Sequence, residues 1–245
     1  MKFNFIVILF LINVFILQGE ENNHISLYTN ETVQGTPLNI MVDRGEFYNS
    51  KFKLDIYSIY ITPQMAIWVE DMDGTFLETL YVTNSLAKQK WQAFIKLDNE
   101  KSYRSETLPR WLFSQFTKTG FFPSRENPLP DAITGATPFS SFILTTKTCF
   151  TKKKVKVMFE VNMAFDDNSN FSVSQEFGNP NANGTSGQPS LIYSGVVDLS
   201  KAGDYPLILV GYGSPTGVDG SITPKLELIT TAKDIIKKVT IRVGM

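Results

Sequence analysis

The chain has 245 residues and nearly balanced charge, with 23 Lys and Arg against 24 Asp and Glu, one Cys and one His. Balanced charge excludes a strongly basic nucleic-acid-binding protein and strong attraction to acidic lipid. Cys149 alone excludes an internal disulfide, and it supplies no zinc ligand set with His24. A Ser-His-Asp or Cys-His catalytic pair would have to use His24, close to a chain end. The composition therefore points away from an enzyme with a catalytic triad or a metal site.

From the N-terminus, Met1-Lys2-Phe3-Asn4 is followed by an apolar run from Phe5 to Leu17 and then by small Gly19. This is the pattern of a secretory signal peptide over residues 1–19, with residues 20–245 as the exported unit. The run is shorter than the roughly 20 apolar residues a membrane-spanning helix needs, and no later stretch is long and apolar enough, so no stable membrane insertion is expected after cleavage. Export without disulfides predicts the periplasm or cell surface of a bacterium.

The rest of the chain is dominated by period-two alternation, the mark of half-buried strands. Leu54 and Ile56 alternate with Lys53 and Asp55, and Phe52–Ile61 reads as one long strand. Val155, Val157, Phe159, Val161 and Met163 alternate with Lys154, Lys156 and Glu160. Val239, Ile241 and Val243 alternate with Lys238, Thr240 and Arg242. Met65–Val69, Leu191–Val197 and Leu207–Val210 are apolar on both faces, as strands inside a sandwich are. Asp71-Met72-Asp73-Gly74 reads as a hairpin turn, and Ala202-Gly203-Asp204 as another turn.

The expected fold is mainly β, an antiparallel β-sandwich, immunoglobulin-like or related. Strand groups 24–100 and 139–245 flank a helical and proline-rich insertion over 101–138. The helix is predicted from Ser105 to Gly120, with Ser105 as cap, Pro109 in the first turn, and Leu108, Trp111, Leu112, Phe113 and Phe116 as the apolar face. A shorter helix is predicted over Thr231–Lys237. The Asn-, Ser- and Gly-rich loop Asp166–Gln188 is expected to be exposed. Asp166-Asp167-Asn168 and Asp219-Gly220 read as turns rather than calcium ligands, since a calcium loop wants six to eight oxygens. Trp68 reads as core, whereas Trp91 and Trp111 border the irregular region and suit either core packing or ring stacking.

The insertion ends on Asp131-Ala132-Ile133-Thr134-Gly135-Ala136-Thr137. The run follows Pro128-Leu129-Pro130, which favours an extended, accessible entry. Gly135 and Ala136 leave space beside the Thr137 hydroxyl. The pattern Asp-x-x-Ser/Thr-Gly-Ala-Thr resembles the flavinylation motif of bacterial extracytoplasmic redox proteins, in which a flavin transferase esterifies the last Thr with the phosphate of FMN. The resemblance carries over to Asp131, Thr134, Gly135, Ala136 and Thr137 as cofactor-binding residues.

It implies covalent FMN, a flavin transferase and a membrane redox partner. The chain departs from the familiar FMN-binding domains of that group, which are small α/β units, and it places Pro138 directly after the acceptor. The wider chain, with Pro63-Gln64-Met65-Ala66-Ile67-Trp68-Val69-Glu70-Asp71, Leu108-Pro109-Arg110-Trp111 and the motif followed by Pro138, is similar to an uncharacterised bacterial periplasmic β-sandwich family. Members of that family often occur beside flavin-transfer and membrane redox genes. The same seven residues also read as a turn leading into a strand at Phe142–Thr146, which needs no flavin. Two functions follow: a passive electron carrier with FMN on Thr137, or a non-enzymatic binding or structural module of the cell envelope with no cofactor.

Overall fold

A computed structural model describes residues 24–54, 57–91, 104–150, 154–173, 185–215, 217 and 219–244. The expected signal peptide, Ile56 and the middle of the loop 166–188 lie outside the described residues. Strands β1 (Ile25–Tyr28), β2 (Thr36–Arg44), β3 (Ser50–Leu54), β4 (Tyr57–Ile61), β5 (Gln64–Glu70) and β6 (Phe76–Thr83) come first. The one-turn helix α1 (Asn84–Ala87) and helix α2 (Pro109–Thr119) follow, and then a 3-10 turn at Asp131–Ile133 leads into β7 (Thr134–Gly135). Strands β8 (Phe142–Thr148), β9 (Lys154–Asn162), β10 (Leu191–Asp198), β11 (Gly203–Gly213), β12 (Ile222–Thr223) and β13 (Ile236–Val243) complete the chain.

The protein is mainly β. One curled sheet runs β1-β8-β2-β13-β11-β10-β9-β5-β6-β7, with β12 paired to β11, while β3 and β4 form a separate hairpin. Strands from before residue 100 and after residue 139 interleave: β2 lies between β8 and β13, and β9 between β10 and β5. The sheet is mixed rather than wholly antiparallel, because β1 runs parallel to β8 and β7 parallel to β6. Phe52–Ile61 is not one strand but part of the β3–β4 hairpin, with Ser50 opposite Ile61.

Curling is built into β11. Its first half, Gly203–Leu207, pairs with β13, and its second half, from Ile208 to Tyr212, pairs with β10. Gly195 of β10 sits at the changeover, where a Cβ would stand 2.6 Å from the Pro206 carbonyl oxygen. Only glycine permits that approach. Residues from both halves of the sheet contribute to one apolar core.

Alternation delivers Leu38, Ile40 and Val42 from β2 and Val239, Ile241 and Val243 from β13 into this core. Met65, Ile67 and Val69 enter from β5, and Val157, Phe159 and Val161 from β9. Each such side chain contributes about 1.5–3 kcal/mol on burial.

The opposite face of β5 and β9 is buried as well, because α2 lies on it. Ala66, Trp68, Met158 and Ile192 pack there against Leu108, Trp111 and Leu112. The apolar-on-both-faces pattern of Met65–Val69 thus reflects a core on one side and a helix on the other. For Leu207–Val210 the expectation fails: Ile208 is 64 % exposed, since the second face of β11 has no such cover at that point.

Helix α2 starts four residues later than Ser105. Leu108 is its N-cap without a side-chain cap, Pro109 is its first residue, and Gly120 closes it in the left-handed region at φ 76°. That closure is the usual glycine stop. Of its expected apolar face, Leu108, Trp111 and Leu112 are buried, but Phe113 and Phe116 are exposed. Phe116 stacks instead on Phe122 with ring centroids 4.3 Å apart. The predicted helix Thr231–Lys237 is only a 3-10 turn over Thr231–Asp234, because β13 begins at Ile236.

The Asp71–Gly74 turn is as predicted, with the Asp71 carboxylate accepting from the amides of Asp73 and Thr75. The described ends of the loop 166–188 are exposed only in part: Asp167, Ser169 and Val173 are exposed as expected, but others are not. Phe171 is core, and Gln188 is buried with its carboxamide oxygen accepting from the Thr230 amide at 2.7 Å. No helix among the described residues is long and apolar enough to cross a membrane.

Candidate functional site

The segment Asp131–Thr137 lies along α1 and the end of β6. Leu129, just before it, is buried and donates its amide to the Ala87 carbonyl at 3.0 Å. Asp131 opens the 3-10 turn, is exposed, and accepts from Lys88 Nζ at 2.9 Å. That hydrogen bond and the lysine charge hold its carboxyl below the usual carboxylate range. The Ala132 carbonyl accepts from the Asn30 amide at 3.1 Å. Thr134 and Gly135 pair in parallel with Val82 and Thr83.

Past the strand, two buried tyrosines hold the backbone. Tyr81 donates its phenol to the Ala136 carbonyl at 2.9 Å, and Tyr48 donates to the Pro138 carbonyl at 3.0 Å. Burial pushes both phenols far above their ordinary pKa, so both remain donors at any physiological pH. Asn49 adds a third tie, from its side-chain amide to the Phe139 carbonyl at 2.9 Å. Thr137 lies between the two tyrosine-bound carbonyls and is half-buried. Its hydroxyl has no hydrogen-bond partner among the described residues. Phe139, two residues on, is 70 % exposed.

Gly135 has a different reason from the one expected. The space beside it is already taken: a Cβ would lie 2.9 Å from Cε2 of Tyr81. Glycine is needed so that the Tyr81 ring can pass and reach Ala136, not to leave room for an approaching enzyme. Ala136 itself is exposed. The five motif residues are thus brought together on one clamped strand-like segment, with Thr137 at its far end.

Sequence reasoning missed a second group. Glu160, assigned to a solvent-facing row, is fully buried beneath the start of α2. Its Oε2 accepts the Trp111 amide at 2.8 Å, and its Oε1 accepts the Arg110 amide at 3.3 Å and the Ser190 hydroxyl at 2.6 Å. Burial pushes its pKa up to about 7 against the pull of those donors and of Arg110. Glu70 on β5 is buried too, and its Oε1 accepts from Trp68 Nε1 at 3.0 Å and Arg110 Nη2 at 2.8 Å.

A carboxylate facing helix-terminal amides is the side-chain cap that α2 lacks locally. Each of these donors is a helix or core group, so the pair docks the helix onto the sheet. Trp111 belongs to the same construction, a core residue whose indole N–H donates to Thr79 Oγ1 at 3.0 Å.

The remaining candidates are structural. His24 pairs with Asp43 at 2.8 Å. Cys149 donates to Glu78 Oε2 at 3.2 Å, and burial and then Glu78 push its thiol pKa up, away from a reactive thiolate. Asn168 and Asp219 accept from backbone amides two or three residues on, as turn residues do. Among the described residues, no three His, Cys, Asp or Glu side chains are grouped to hold a metal ion. No family model, no curated protein and no solved structure matches the chain.

Proposed function

We propose that this is an exported bacterial envelope protein that carries electrons passively through FMN esterified to Thr137 by a flavin transferase, in exchange with a membrane redox partner. The observation that carries the reading is the state of Thr137: a half-buried residue whose hydroxyl has no intramolecular partner among the described residues, on a backbone held on both sides by Tyr81 and Tyr48. A phosphoester acceptor needs a free hydroxyl in a defined place. The residues present fit the group, since nothing in the clamp uses the Thr137 side chain. When bound, FMN supplies the electron-transfer chemistry, and the protein supplies position and surrounding dipoles.

Co-expression with an active flavin transferase tests this. The wild-type chain should gain the mass of an FMN ester and fluoresce after denaturing electrophoresis, and Thr137→Ala should lose both. An unmodified wild-type chain, beside a control protein that the same transferase does modify, overturns the reading.

The second reading is a binding or structural module of the envelope without cofactor. The exposed stack of Phe116 on α2 with Phe122 just beyond it favours it, because exposed paired aromatics suit a partner surface.

A further inference from the structure

Immediately after α1 the chain reverses on Gln89, which adopts φ 45° although it is not glycine. Such a backbone is costly and is kept where the surroundings hold it. Here they do: Gln89 is buried, its Nε2 donates to the Leu86 carbonyl at 3.3 Å, and its carbonyl accepts from Arg125 Nε at 3.3 Å. Its Oε1 accepts both Trp91 Nε1 at 3.0 Å and the Arg104 amide at 3.2 Å.

The reversal leaves an open cleft of about 360 Å³ lined by Asn84, Ser85, Lys88, Lys90 and Trp91. That volume is at the lower end for small-ligand sites. Lys88 is shared with Asp131 of the motif, while Lys90 has no ion-pair partner among the described residues. The Arg104 guanidinium lies 4.5 Å from the Trp91 ring centroid and steadies the indole.

The cleft is close to Thr137 by register. Thr83 is paired with Gly135, so Asn84 and Thr137 have Cα atoms no more than about 16 Å apart by strand spacing and chain reach. A ribityl chain and a tricyclic ring span a distance of that order. An indole face, two ammonium donors and two short polar side chains together match a planar ring with carbonyl acceptors along one edge.

We infer that this cleft seats the isoalloxazine ring of the flavin, which rests on the reading that Thr137 is its attachment point. Trp91 provides the apolar wall, and Lys88 and Lys90 meet the ring carbonyls.

The test separates ring binding from attachment. A Thr137→Ala chain, which cannot be esterified there, is titrated with free riboflavin and with free FMN while tryptophan fluorescence is followed. Both ligands should quench it saturably. Lys90→Ala should weaken binding about tenfold, the effect of one lost charged hydrogen bond. Trp91→Phe should reduce the quenching by the share of the indole that touches the ring, while buried Trp68 and Trp111 can still pass energy to it. Ser85→Leu, which fills the cleft from one wall and leaves Lys88, Lys90 and Trp91 in place, should abolish binding. The inference is overturned if riboflavin does not bind into the millimolar range, whether or not FMN does, or if quenching is unchanged by Trp91→Phe and Ser85→Leu. Mass gain of the wild type, scored separately, decides attachment alone.

Discussion

Glu160 Oε2 sits 2.8 Å from the Trp111 amide, so a residue in the middle of strand β9 caps the first turn of helix α2. The consequence extends beyond the helix. Because α2 is held there, Trp68, Met158 and Trp111 are sealed into a second core on the outer face of β5 and β9. The sheet carrying the Thr137 segment is therefore packed on both sides where β5 meets β9.

Stability should fall as pH rises between about 4.5 and 7. The Glu160 pKa in the folded chain stands at about 7, above its ordinary 4.5. The folded state then binds more protons than the unfolded state across that window, so the slope of unfolding free energy with pH is negative. The loss is complete above the folded pKa, and its size is on the order of 3 kcal/mol. Urea melts at a series of pH values should show this slope in the wild type and a flatter one in Glu160→Gln. An equal slope in both would assign the effect elsewhere.

Arg110→Ala should be strongly destabilising. Its Nη2 is paired with buried Glu70 and its Nη1 donates to the Gly220 carbonyl at 3.2 Å. Removal leaves a buried carboxylate without its cation, which costs about 3–5 kcal/mol. Changing both partners, Arg110→Leu with Glu70→Leu, should cost less than Arg110→Ala alone. Denaturant midpoints of the three chains check this.

How much of this was legible differs residue by residue. The rows Leu38-Ile40-Val42 and Val239-Ile241-Val243 needed only alternation, because each faces one core. Glu160 occupies the same alternating pattern and was placed on the solvent side, since periodicity reports which residues share a face but not what covers that face. One signal pointed the other way: the residues of Met65–Val69 are apolar on both faces, so something had to cover the second face of that sheet.

The prolines before the motif point to an extended and accessible entry, but Leu129 between them is buried and Asp131–Ile133 form a 3-10 turn, so strand pairing is confined to Thr134–Gly135. The clamps on the motif could not be read, because Tyr81 and Tyr48 lie 55 and 90 residues from the carbonyls they hold. Gly135 was legible as a residue of special need, but the need is the passage of the Tyr81 ring.

Gly135→Ala should therefore damage the segment. The new Cβ meets Tyr81 Cε2 at 2.9 Å, and either the ring swings away from Ala136 or the β6–β7 pairing opens. Overpacking of this kind costs about 1–3 kcal/mol. Thermal unfolding should show the loss, and hydrogen exchange should report faster opening around residues 133–138. A variant with wild-type exchange there would mean that the Tyr81 ring gives way without cost.

Tyr48→Phe and Tyr81→Phe test whether the clamp serves Thr137 or only the fold. Each removes one hydrogen bond worth about 1 kcal/mol and leaves a carbonyl without its donor, while the ring and its packing stay. Global stability should drop modestly in each. If the clamp presents the acceptor, the double variant should take up flavin several-fold more slowly under limiting transferase, yet reach full occupancy at long times. The Thr137 hydroxyl is still present but spends less time in place. If the clamp serves the fold alone, uptake per folded molecule should match the wild type. Time courses of mass gain, normalised to folded protein, distinguish the two outcomes.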